Sequence, residues 1–343
     1  VKTAVSPDRI DPPRTFAHIL YNSGYADSSE LSGMVAAWCA LYDLTGADAV
    51  VCDHAPTALV AGRVRGLRRV VIGNGFTCPP DAESFPDLRP WLPAAADRLR
   101  RDEQRVLASV NAVLQRGGSE PLERLGQLYG GVEATILRTW EELDPYSSRV
   151  GARYFGAWPC GGRAVPRWPD AAGPKTFVYL ASFPTLPTVL SALRDLGWPT
   201  LAYLRSPDVG IRSQFDGPTL RVAAEPLDVD LAAAHCDLAV LNGGHGVTAT
   251  MLAAGKPVLN IPLSLEQSLT SMAVVRLGAG VACRPDRPWE ILPALRRTGS
   301  EAGLAHAARQ FAARYAGYDP RRTLADAVDQ IESCLRAPDA SIE

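Results

Sequence analysis

From residue 176 onward, short apolar runs alternate with longer stretches in which the apolar positions recur every three or four residues. The runs at 176–180, 200–204, 220–223, 238–241 and 257–261, with a last one near Val281, read as strands buried on both faces. Between and after them the periodicity predicts helices over 186–196, 228–234, 246–254, 266–277, 288–297 and 301–316. Strand and helix in alternation predict a parallel sheet with helices on both faces, and ligands at the carboxyl ends of its strands.

The first 155 residues follow the same grammar less completely. Residues 1–14 are polar and proline-rich, and 15–24 and 29–46 read as helices, the second with Leu31, Met34, Val35, Trp38, Leu41 and Tyr42 on one face. Strands are expected at 49–52, 70–72 and 134–137, and helices at 56–66, 94–116 and 119–128. Glycines and prolines crowd 156–174, which reads as a linker. The chain therefore divides into a first domain over 1–155, the linker, a second domain over 175–318, and an amphipathic helix within 319–343 expected to cross back to the first domain. The expected fold class is α/β, two Rossmann-like doubly wound domains of which the N-terminal one is incomplete.

Composition narrows the function more than the fold. With 343 residues, 47% hydrophobic and 21% charged, the chain is long and apolar enough for two packed cores. The net charge of -2 comes from interspersed acids and arginines, without a basic block to track a phosphate backbone, so nucleic acid is not an expected partner. Cys39, Cys52, Cys78, Cys160, Cys236, Cys283 and Cys334 are scattered, with no C-x-x-C pair, and read as free thiols of a cytoplasmic protein rather than as metal ligands. No apolar run reaches the roughly 18 to 20 residues that a membrane-spanning helix needs.

The candidate chemistry centres on Asn242-Gly243-Gly244-His245-Gly246-Val247-Thr248, where a buried strand turns through glycines directly into a helix. Such a turn aims backbone N–H groups and the positive end of the helix dipole at one point, and a phosphate suits it. The same residues satisfy G-x-G-x-x-A, with Glu266 about 20 residues further on, as in a dinucleotide fingerprint. That reading is disfavoured: the fingerprint belongs to the first strand–helix turn of its domain, and here several strands precede it.

Asn242 through Gly244, Gly255-Lys256-Pro257, Pro262, Glu266-Gln267 and Leu277-Gly278-x-Gly280 together resemble the donor-binding signature of GT-B glycosyltransferases in the UDP-glucosyl and glucuronosyltransferase superfamily. The resemblance implies a nucleotide-sugar cosubstrate, UDP- or TDP-linked, with the diphosphate held over Asn242 to Thr248, the ribose at Thr250 and the sugar hydroxyls at Glu266 and Gln267. Ser182, after the first strand of the second domain, and Pro226 with Leu227 match the loop and nucleobase-facing segments. Three places depart from the family pattern: Asn242 stands for His, Val247 for Ser or Thr, and Thr250 for Glu. His245 and Thr248, in the same loop, are expected to supply donors to the phosphates. A threonine cannot accept two hydrogen bonds from a vicinal diol as a carboxylate does, so a deoxyribose nucleotide becomes as plausible as UDP.

On the acceptor side, Val50-Val51-Cys52-Asp53-His54 resembles the family segment whose Asp orients a catalytic His, which makes Asp53 the candidate orienting acid. His54 cannot be its partner if both lie on an extended strand, where neighbours point to opposite faces. His54, Asn74 and Phe76 are assigned to the acceptor pocket, with Trp91 at its border. The family's base-bearing first strand and glycine loop have no counterpart here, and His18 falls in a helix and reads as packed; the expectation is a chain lacking its first strand–helix units. No D-x-D pair is present to hold a metal on the diphosphate, so no cofactor is expected. The reading is an inverting glycosyltransferase acting on a small-molecule hydroxyl, of a lipid or natural-product alcohol. Its rivals are a nucleotide-sugar epimerase or hydrolase on the same fold and a non-catalytic, degenerate transferase that binds a partner enzyme.

Overall fold

The computed structural model describes residues 8–93, 95–146, 149–158, 164–207 and 210–336. It contains two compact units: Val1–Thr139 with Pro145–Phe155 and Arg321–Glu343, and Trp140–Asp144 with Gly156–Pro320. The Pro159-Cys160-Gly161-Gly162 stretch of the expected linker and the end of the 319–343 segment past residue 336 lie outside the described residues.

In the first unit, α1 (Phe16–Leu20) runs through a π-helical turn, Tyr21–Tyr25, toward α2 (Ser28–Thr45). Then come β1 (Ala49–Asp53), α3 (Pro56–Val64), β2 (Arg68–Gly73), α4 (Ala96–Arg116), α5 (Gln127–Gly130) and β3 (Ala134–Leu137). The strands are parallel in the order β1-β2-β3, with Asp53 opposite Ile72 and Gly73 opposite Leu137. Helix α2 shows why its limits are sharp: the Asp27 carboxylate accepts from Ser29 N at 2.6 Å and from Glu30 N, and Gly46 ends it in the left-handed region at φ 60°. Its buried stripe is Leu31, Val35, Cys39 and Tyr42, narrower than expected; Trp38 and Leu41 stay 36% and 51% exposed. Rings of Phe16, Phe85 and Tyr129 meet edge to face in the core, with centroids 5.6 to 6.4 Å apart.

The helix expected over 119–128 is absent; only Gln127–Gly130 is helical. Asn111 is the reason, since its side chain accepts from Leu122 N at 2.7 Å and donates to Leu122 O at 2.9 Å, taking both backbone groups that a helix would use. Leu122 and Leu125 are buried all the same.

The second unit carries β4 (Thr176–Ala181), α6 (Leu186–Leu196), β5 (Thr200–Arg205), α7 (Ile211–Phe215), β6 (Leu220–Ala223), α8 (Val229–His235) and β7 (Leu238–Leu241). It continues with α9 (His245–Ala253), β8 (Val258–Asn260), α10 (Leu265–Arg276), β9 (Gly280–Ala282), α11 (Ile291–Ser300) and α12 (Ala302–Arg314). Helix α13 (Pro320–Arg336) follows, and from Arg321 onward it counts with the first unit. The six strands are all parallel, in the order β6-β5-β4-β7-β8-β9. Alternation sorts each strand's neighbours to opposite faces. Phe177, Leu201, Ala239, Leu241 and Val258 pack with α8, α9 and α12, whereas Val178, Leu180, Ala202, Leu204, Val240 and Leu259 pack with α6, α7 and α11. Helix α7, which the sequence pattern did not suggest, buries Ile211 and Phe215.

Candidate functional site

Sheet order sets the order of side chains along the carboxyl lip of the second unit. From β6 through β8 the lip presents Pro226 and Leu227, then Arg205, Ser182, the Asn242–Gly244 turn, and Glu266 with Gln267. The turn is built from the backbone up. Gly243 has φ 78°, and a Cβ there would lie 2.5 Å from Ser271 Oγ and 2.9 Å from Gln267 O, so both conformation and space demand glycine. At Gly244, the residue preceding α9, a Cβ would meet nothing within 4 Å. Helix α9 has no side-chain cap, and its first turn directs backbone N–H groups at the lip.

A cavity of about 70 Å³ opens there, lined by Tyr179, Ala181, Arg205, Leu241, Asn242, Gly244, Val247 and Gln267. Asn242 lines it but its amide is occupied: Oδ1 accepts from Ala181 N at 2.7 Å and Nδ2 donates to Ile261 O at 2.9 Å. The side chain thereby ties the ends of β4 and β7 to the residue after β8, and holds the turn rather than reaching out from it. Val247 faces the cavity, but Thr248, expected to supply a hydroxyl in its stead, is fully buried and is not among the lining residues. One residue along a helix is a rotation of about 100°, which carries Thr248 off the open face. His245 is likewise buried, 8% exposed at the start of α9, and Gly246 is half-buried beside it.

Gln267 has a local role as well. Ser264 caps α10 by accepting from Gln267 N at 3.3 Å, and Gln267 Oε1 accepts from Leu263 N at 2.7 Å, a variant of the reciprocal capping box. Its amide NH₂ has no partner among the described residues and is the group left for a ligand. Glu266, half-buried, stands in the same first turn. Leu227 is 3% exposed and part of the core, so its side chain is not on the nucleobase-facing surface. Its neighbour Pro226 accepts from Ala164 N at 3.1 Å, which lays the end of the linker alongside this segment. Ser182 is half-buried just past β4.

Thr250 opens onto a different cavity, of about 330 Å³, together with Trp140, Trp158, Asp230, Tyr315 and Tyr318. The ring of Trp140 lies 5.2 Å from that of Tyr315, and burial pushes the Tyr318 hydroxyl, which donates to Ala157 O at 2.7 Å, up to about 12. Thr250 stands about one helical turn after Val247 on the same side of α9. None of these aromatic wall residues, nor Arg205, was singled out in the sequence; only Arg205's place at a strand's carboxyl tip could have drawn notice.

In the first unit the acceptor-side expectations change. Asp53 ends β1 with its side chain 60% exposed and pairs with Arg138 at 3.3 Å, so its partner is a cation and not a histidine. His54 is not on the strand: at φ 48° it has turned into the left-handed region, and the alternation argument does not apply to it. Phe76 is a core residue, 8% exposed with its ring 6.0 Å from that of Phe16. Asn74 is half-buried beyond β2, and Trp91 is 48% exposed under the Arg89 guanidinium. His18 is packed as expected, 2% exposed, its Nδ1 accepting from Arg14 N at 3.1 Å and its Nε2 facing Asp102 at 3.2 Å. Burial pushes its pKa down, against the pull of Asp102, and both nitrogens are engaged within the core.

No protein-family model matches the chain. It is 27% identical over 311 residues to a PGL/p-HBAD biosynthesis glycosyltransferase of Mycobacterium tuberculosis, covering 84% of this chain and 70% of that protein. It is 28% identical over 299 residues to a PGL/p-HBAD biosynthesis rhamnosyltransferase of Mycobacterium bovis, covering 81% and 65%. Among solved structures, the glycosyltransferase of kitacinnamycin superposes with a TM-score of 0.68 at 19% identity, over 97% of this chain and 85% of that one. The spinosyn rhamnosyltransferase gives 0.66 at 16% identity, over 90% and 80%. The structural neighbours supply the fold, GT-B, and the sequence relatives the chemistry: the chain is similar to glycosyltransferases, and transfer of a sugar from a nucleotide donor is the activity that these likenesses support.

Proposed function

We propose that the chain moves a sugar, with inversion and without a metal, from a UDP- or TDP-linked donor to the hydroxyl of a small lipid or natural-product alcohol in the cytoplasm. The observation that carries the donor half is the Asn242–Gly244 turn, which opens into the first turn of α9 beside the free amide of Gln267. The diphosphate lies over this turn, and Glu266 and Gln267 read the sugar hydroxyls. Asp53, at the carboxyl tip of β1, lies near the acceptor hydroxyl and is positioned by Arg138.

A thermal-shift panel of UDP, TDP, GDP, NAD and NADP tests the donor reading, because a ligand that binds only the native state raises its stability, by about 2.7 kcal/mol at a hundredfold excess over Kd. A rise with UDP or TDP alone is expected and names the nucleotide. A rise with NAD or NADP, or with none of the five, overturns it.

A further inference from the structure

Among the described residues, Arg205 is the only charged side chain lining the cavity beside the glycine turn. It ends β5, its backbone paired in register with Ala181, whose N–H is the one held by Asn242. The chain leaves the strand sharply after it, with Ser206 at φ 52°. The guanidinium is exposed, and among the described residues it makes no hydrogen bond, ion pair or ring contact. An arginine on a protein surface commonly finds a carboxylate; this one instead faces a cavity whose other polar lining groups include Asn242, already satisfied on both sides, and Gln267.

The charge inventory of the turn gives this position a meaning. A diphosphate placed against the first turn of α9 meets backbone N–H groups and the helix dipole, but Val247 offers no hydrogen bond, Thr248 is sealed in, and the Asn242 amide is neutral and engaged. Backbone dipoles amount to roughly half an elementary charge, well short of neutralising a diphosphate. Sheet order places Arg205 between the Pro226–Leu227 end of the lip and Ser182, which is where the phosphate nearer the nucleoside falls if the sugar is at Glu266 and Gln267.

We propose that Arg205 is the cationic ligand of the donor diphosphate, taking over through its planar fork the charge and hydrogen bonds that residues 242 and 247 do not supply. This rests on the donor reading above.

The test compares wild type, Arg205→Gln and Arg205→Lys for binding of UDP, TDP, uridine and thymidine by titration calorimetry, at low and moderate salt. The Gln variant is expected to weaken the diphosphate about tenfold to a hundredfold while leaving the matching nucleoside within twofold of wild type, and to flatten the salt dependence. The Lys variant, which keeps the charge and loses the fork, falls between the two. Because Arg205 is exposed, an unchanged melting temperature without ligand accompanies this result. Equal weakening of nucleoside and diphosphate overturns the assignment, as does a Gln variant that binds the diphosphate like wild type. Failure of the wild type to bind any of the four overturns the donor reading itself, and this inference with it.

Discussion

Asn242 shows how one amide can hold the backbone of a site together: it accepts from Ala181 N and donates to Ile261 O. Replacing it by alanine leaves the Ala181 N–H and the Ile261 carbonyl without partners, and Asn242→Ala is expected to cost about 2 to 3 kcal/mol of stability, read as a lowered urea midpoint at unchanged m-value. Gly243→Ala imposes both a left-handed β-carbon and a 2.5 Å approach to Ser271 Oγ, and about 1 to 3 kcal/mol is expected to be lost. Glu266→Ala and Gln267→Ala are different in kind: each should weaken the sugar nucleotide while leaving free UDP or TDP within twofold. A matching loss for the free nucleotide would remove these two from the sugar site. Of the residues at the turn, the need for glycine at 243 was legible from the sequence. Which of Val247 and Thr248 faces the opening was not, because it depends on the phase of α9 against the sheet.

At the scale of elements, α4 carries a buried acid that the pattern alone would have put on its polar side. Glu103 is 4% exposed, and both its oxygens accept from Phe85 N, at 3.0 and 3.2 Å, pinning the proline-rich stretch before α4. Burial, with Glu83 nearby, raises its pKa from 4.5 to about 7. The native state therefore keeps a proton that the unfolded chain releases, so this group's stabilising contribution is full below about pH 4.5 and is lost as pH rises through about 7. The loss amounts to about 3 kcal/mol. Glu103→Gln, which cannot ionise, should flatten the fall of melting temperature across that window; an unaltered slope would show that the carboxyl titrates normally. The caps of this level came from the structure: Ser264 accepts from Gln267 N before α10, and Asp27 from Ser29 N and Glu30 N before α2. The loop over 119–126 was unreadable because its conformation is dictated by Asn111, a residue on a neighbouring helix.

For the molecule as a whole, the sheet order turns a list of loops into a line. Residues 182, 205, 226–227, 242–247 and 266–267 are scattered over some eighty positions, yet the order β6-β5-β4-β7-β8 sets them side by side on one lip of the second unit. Hydrogen exchange with and without UDP or TDP should show protection gained at 179–182, 203–206 and 242–248. The first-unit tips at Asp53 and Gly73 are expected to be unaffected by nucleotide without acceptor. Protection centred instead on the cavity around Thr250 and Trp158 would move the phosphate away from the glycine turn.

The sequence by itself determined the α/β class, the strands of both units, the glycine turn and the family resemblance, since each depends on local periodicity, on conformations open only to glycine, or on spacing along one chain. Tertiary structure decided the rest. It occupied Asn242 internally, turned Thr248 into the core and Val247 into the open, set Thr250 on a separate cavity, packed Phe76 against Phe16, and gave Asp53 an arginine for a partner. It also brought Arg205 to the turn, by a strand order that no local pattern encodes. Side-chain direction and long-range neighbours are properties of packing, and only the folded chain has them.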